Sequence, residues 1–140
     1  MITKFHFLQR VYLPQRLNLK DHLLFLCKNE KTTIQQVDII FCSDDYLLKI
    51  NNDFLGHNYF TDIITFDLTP QGSLYKTAEL YISIDRIKQN AVEYNTTMKI
   101  ELHRVIFHGI LHLCGYKDKK PREIIEMKKK EEYYLKTYFK

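Results

Sequence analysis

The sequence predicts an α+β fold, a small mixed sheet of about four strands flanked by about five helices. Three observations lead there. β-branched apolar runs and stretches with helically spaced apolar residues follow one another in mixed order. Four glycines and three prolines in 140 residues fall well below the usual share of about a dozen per hundred, which excludes collagen-like, linker-like and turn-dense sandwich architectures. Hydrophobic residues make up 45% of the chain and aromatic ones 14%, enough for one core, so residues 1–140 are expected to form a single domain.

Ile2 to Leu8 alternates loosely, carries Phe5 and Phe7, and reads as a first strand ahead of the break at Pro14. From Leu17 to Asn29, the residues Leu19, Leu23, Leu24, Leu26 and Cys27 recur at helical spacing, with Asn18 or Asp21 available to cap or charge the first turn. Thr32 to Cys42 is β-branched and reads as a strand, and Ser43-Asp44-Asp45 opens a helix through Leu47, Ile50, Asn51 and Phe54 that stops at Gly56. Ile63 to Phe66 reads as a buried strand, Pro70 to Thr77 as a long loop and Leu80 to Ile84 as another strand. Asp85 is placed to start a helix through Ile87, Ala91, Val92 and Tyr94. Thr96 or Thr97 can cap the next helix, which has almost no fully polar face between Ile100 and Leu113, as expected at the centre of a domain, and Gly115 ends it. Pro121 opens a last amphipathic helix containing Ile124, Ile125, Met127, Tyr134, Leu135 and Tyr138.

Charge excludes little. Twenty-one Lys and Arg against 17 Asp and Glu give +4, which permits an acidic partner such as RNA without demanding one. Cys27, Cys42 and Cys114 are odd in number and lack paired short spacing, so neither a disulfide framework nor a CxxC zinc knuckle is indicated, and a reducing cytoplasm fits. No secretory signal and no membrane-spanning segment is expected.

The informative segment runs from Phe107 to Asp118. On a helix, His108 and His112 lie one turn apart and about 40° from each other around the axis, so both imidazoles can reach one metal ion. A third ligand at Asp118 cannot come from a continuing helix, because six residues would carry it about 9 Å past His112 whereas metal bonds are about 2 Å long. The chain must turn back, and Gly115 is where a left-handed turn costs least. A metal site is thus expected at the end of the central helix. Gly109 stands where zinc proteases of the H-E-x-x-H type carry their general base, which disfavours peptide hydrolysis by that route. Cys114 reads as core packing rather than as a ligand. His6, His22 and His57 read as surface or strand-end residues, and the Lys/Glu-laced segment after Lys117 as a solvated helix face.

Phe107 to Tyr116 resembles the hallmark H-G-x-L-H-L-x-G-Y-x-H of the YbeY-type rRNA maturation factors, single-strand-specific metallo-endoribonucleases. Asn51 to Phe66, with Thr61-Asp62-Ile63-Ile64-Thr65-Phe66, is similar to that family's N-x-x-[YF] and T-D-V-L-S-F segment, and Ala78 to Ser83 to its G-[DE]-[IL]-x-I-[SC] strand. The resemblance covers about residues 50 to 118. It implies a cytoplasmic, zinc-dependent endoribonuclease with one ion held by His108, His112 and Asp118, which are also the expected catalytic residues. It further implies single-stranded RNA, rRNA and ribosomal subunits as partners, precursor 16S rRNA end maturation and ribosome quality control as the task, and no nucleotide cofactor or membrane.

Two departures stand out. Asp118 replaces the family's third histidine, so the site is one charge less positive and acidifies water less strongly. Leu55 replaces an arginine implicated in RNA binding or catalysis, and Arg86, Arg104, Lys49 or His57 are the candidate substitutes. Attack on phosphorus can use metal-activated water, or the metal can polarise a phosphoryl oxygen while Asp62, Glu79 or His103 handles the proton. Two further readings remain open: a noncatalytic ribosome-associated assembly factor with a structural metal, and a metallohydrolase of another substrate.

Overall fold

A computed structural model describes residues 1–140. The elements are β1 (Ile2–Phe7), α1 (Arg16–Asn29), β2 (Ile34–Cys42), α2 (Asp44–Leu55), β3 (Ile63–Asp67), β4 (Lys76–Ser83), α3 (Ile84–Glu93), α4 (Met98–Leu113) and α5 (Pro121–Tyr138). The four strands form one mixed sheet in the order β1-β2-β4-β3, with β1 and β4 parallel to β2 and β3 antiparallel to β4. The α+β class, the four strands and the five helices match the sequence reading.

Side chains on a strand alternate between faces, and here each face finds a partner. Val37, Ile39 and Phe41 of β2 and Ala78, Leu80 and Ile82 of β4 join α1, α3, α4 and α5 in the main core. On the opposite face Cys42 and Ile64 pack with Leu47 and Ile50 of α2. Because α4 lies in the main core, its buried residues run nearly all round, from Leu102 through Leu113, as its sparse polarity predicts.

Several local expectations shift. β4 starts at Lys76, inside the expected loop, because pairing with β2 (Ile34 opposite Lys76, Val37 opposite Ala78) extends it toward its N-terminal end. It stops at Ser83, whose Oγ accepts the Arg86 N–H at 3.2 Å and so caps α3 in place of Asp85. Neither Asn18 nor Asp21 caps α1; Gln15, at φ 52°, turns the chain into that helix without a side-chain cap. Ile63 to Phe66 forms an edge strand in which only Ile64 is fully buried. Thr97, rather than Thr96, caps α4, accepting the Ile100 N–H at 3.1 Å.

The inner face of α5 is Met127, Glu131, Tyr134 and Leu135, whereas Ile124 and Ile125 face outward. The stretch after Lys117 is therefore not a uniformly solvated face. His22 is no surface residue either. Half-buried on α1, it donates from Nε2 to the Tyr134 carbonyl at 3.0 Å and packs against Phe107 and Tyr138.

Candidate metal centre

Two features of α4 and its exit bring His108, His112 and Asp118 together. Gly109 lets the helix approach the sheet closely: a Cβ there would lie 2.7 Å from Ile63 Cδ1 and 2.9 Å from Leu80 Cδ1. Gly109→Val is accordingly expected to cost about 1–3 kcal/mol of stability through overpacking, read as a lowered thermal midpoint. An unchanged midpoint would mean that the close approach is not needed.

At the helix end, Gly115 takes φ 100°. Its N–H bonds to the His112 carbonyl at 3.0 Å, and the Tyr116 N–H bonds to the Leu111 carbonyl at 3.1 Å. This paired closure is a Schellman motif, and it reverses the chain so that Asp118 returns to the two histidines. Tyr116 anchors the returning segment, donating its hydroxyl to Glu30 Oε1 at 2.6 Å. Tyr134 and Lys130 hold the other Glu30 oxygen.

The result is a triangle of three donor atoms. His108 Nε2 and His112 Nε2 are 3.0 Å apart, and Asp118 Oδ2 lies 3.2 Å from the first and 3.3 Å from the second. Ligand atoms bonded at about 2.0–2.1 Å to a tetrahedral ion sit roughly 3.3 Å from one another, so the triangle already has the dimensions of one face of such a site.

Hydrogen bonds fix what these atoms offer. His112 Nδ1 lies 2.8 Å from the Tyr116 carbonyl and His108 Nδ1 lies 2.6 Å from Glu131 Oε2, so each Nδ1 donates a proton to an acceptor. In the neutral rings both Nε2 atoms then carry lone pairs, and these face each other and a carboxylate oxygen. Three acceptors converging without a donor repel one another until a cation lies between them. Without a metal, a proton is the available substitute. Burial opposes charging His108, but the hydrogen bond to Glu131 and the charges of Glu131, Asp118 and Asp62 prevail and hold its pKa above the ordinary imidazole value. The residues therefore fit a divalent ion.

Glu131 was not evident among the charges of α5. It is only 6% exposed, on the same stripe as Met127 and Leu135, and Arg104 stands 3.9 Å from its other oxygen. Arg104 also pairs with Glu101 at 3.3 Å and with Glu132. The signal was present: a glutamate four residues from an apolar residue on each side, inside an amphipathic stripe.

The triangle opens onto a groove of about 590 Å³ lined by Leu55, His57, Tyr59, Asp62, Thr65 and Lys119 among others. Of the proton-handling candidates, only Asp62 is here. Half-buried and accepting from Asn90 Nδ2 at 3.2 Å, its carboxyl is pushed above the usual carboxylate range, chiefly by burial. Glu79 instead accepts from Tyr81 on β4, and His103 is packed against Tyr138 and Phe139. Of the candidate substitutes for the missing arginine, only His57 lines the groove. Arg86 is tied to Asp44 at 2.8 Å and Arg104 to its glutamates, while Lys49 is exposed on α2. Cys114 is half-buried beside Gly115 and Tyr116, outside the triangle.

The family model for endoribonuclease YbeY matches residues 15–139. An endoribonuclease YbeY of Cytophaga hutchinsonii is 49% identical over 88% of this chain and 85% of its own length. One of Karelsulcia muelleri is 42% identical over 95% of this chain and 89% of its own. The solution structure of a Thermotoga maritima protein superposes with a TM-score of 0.69 at 29% identity, covering 99% of this chain and 89% of that one.

Proposed function

Because the chain belongs to the endoribonuclease YbeY family, we propose that it is a metal-dependent endoribonuclease whose active site is the His108, His112 and Asp118 triangle. In this reading residues 1–140 work as one domain on single-stranded RNA, in rRNA processing and ribosome quality control in the cytoplasm, with ribosomal subunits as partners. No helix is long and apolar enough to cross a membrane. Zinc suits two imidazoles and a carboxylate, and one ion fits one triangle.

When bound, such an ion acts as a Lewis acid toward a phosphoryl oxygen and acidifies water. The chain's own residues do the rest. His108 and His112 present Nε2 because Glu131 and the Tyr116 carbonyl hold each Nδ1 proton. Asp62, its affinity for a proton raised by burial, exchanges a proton with the reacting oxygens. Lys119 places a positive charge on the groove wall for a phosphate.

The observation that carries this reading is three converging acceptors at the spacing of a metal face, on an open groove. Structural zinc sites are closed by four protein ligands, whereas this cluster supplies three with side chains 22–38% exposed. Leu55 favours the alternative of a noncatalytic assembly factor, since it cannot grip phosphate. One assay separates the two. Treatment with a chelator is expected to stop cleavage of a single-stranded RNA oligonucleotide, and added Zn²⁺ to restore it, while circular dichroism stays folded. Unfolding on chelation with no cleavage under any condition would support the assembly factor.

A further inference from the structure

We propose that the stacked side chains of His57 and Tyr59 form a platform for an unpaired nucleobase of the RNA, a base-binding subsite on the lip of the metal groove. The inference rests on the endoribonuclease reading and adds to it what the groove grips.

The two rings lie 5.1 Å apart between centroids and 18° from parallel, with Tyr59 Oη 3.0 Å from His57 Nδ1. Both are exposed, Tyr59 by 56%, so the stack is not core packing. Its backbone is nonetheless fixed. Asn51, only 2% exposed, donates Nδ2–H to the Tyr59 carbonyl at 2.9 Å, and Gly56 turns the chain out of α2 at φ 67°. A buried amide thus fixes the backbone that carries the exposed aromatic pair, and the Tyr59 Oη–His57 Nδ1 contact ties the two rings to each other, which lowers the ordering cost of binding a flat ligand.

Charge argues the same way. His57 and Tyr59 line the groove that holds His108, His112 and Asp118, and the lining there includes one lysine, Lys119, against Asp62, Asp67 and Asp118. With leucine at position 55, Lys119 is the one lysine or arginine left among the lining residues to grip the phosphate backbone away from the ion, so further affinity must come from elsewhere. Stacking supplies it, because every base has a π face and an aromatic ring accepts it with little regard to sequence. Only an unpaired, splayed base can offer that face, since in a duplex neighbouring bases cover it. The subsite therefore also accounts for a preference for single strands.

The test compares a single-stranded oligoadenylate with the same strand carrying abasic riboses, using wild type, Tyr59→Ala and Tyr59→Trp. Fluorescence anisotropy and steady-state cleavage are the readouts. Removing the bases is expected to weaken wild-type binding by about 5- to 100-fold. Tyr59→Ala should lose a similar factor, falling on KM more than on kcat, and Tyr59→Trp should recover most of it. Tyr59 is a surface residue, so both variants fold, which circular dichroism checks. Equal binding of abasic and intact strands by a wild type that cleaves RNA would overturn the stacking subsite alone. A wild type that cleaves neither strand with metal present would overturn the endoribonuclease reading and this inference with it.

Discussion

His112→Ala is expected to abolish both tight divalent-ion binding and RNA cleavage while leaving the protein folded. The substitution removes one of three converging donor atoms, and two donors from one helix turn and a loop hold an ion poorly. The chemistry lost with the ion is worth several kcal/mol, so cleavage should drop by at least about 10³-fold. The stability cost is small. His112 is about a quarter exposed, and the bond lost is the one to the Tyr116 carbonyl, worth roughly 1 kcal/mol. Ion content by mass spectrometry, cleavage rate and thermal midpoint check the three parts. Retained cleavage in a metal-depleted variant would contradict the assignment.

Glu131 is the second large lever, although it touches no substrate. It accepts the His108 Nδ1 proton at 2.6 Å, and so decides that Nε2 faces the ion with a free lone pair. Glu131→Leu should lower metal affinity by about 10- to 100-fold, the usual cost of losing such a partner. Glu131→Gln, whose amide oxygen can still accept, should lose less. The ordering of wild type, glutamine and leucine in a Zn²⁺ competition titration is the check, because a purely packing role predicts leucine to be as good as glutamine. Arg104 loses one of its acidic neighbours in both variants, so the comparison between the two isolates the acceptor.

Much of the site was legible because its central pieces are local. His108 and His112 are one helical turn apart, and the return of Asp118 follows from a glycine that can turn left-handed just past the helix end. Glu131 and the groove wall were harder, since they depend on contacts that sequence spacing does not encode. α5 must pack on α4 before Glu131 meets His108. Antiparallel pairing of β3 with β4 brings the segment after α2 beside α4, where His57 and Tyr59 join the groove. The early start of β4 has the same origin, as pairing with β2 outweighs the loop-like composition before Leu80. His103 shows the converse: its residue type invites a proton-transfer role, yet its helix position turns it toward Tyr138 and Phe139.

One ion shared by three atoms is the centre of the proposed chemistry. Diffraction from crystals grown with Zn²⁺, collected on both sides of the zinc absorption edge, tests it most directly. One anomalous peak is expected about 2.0–2.2 Å from His108 Nε2, His112 Nε2 and Asp118 Oδ2. A triangle without a peak, or a peak held by other side chains while the Asp118 carboxylate points to solvent, would contradict it.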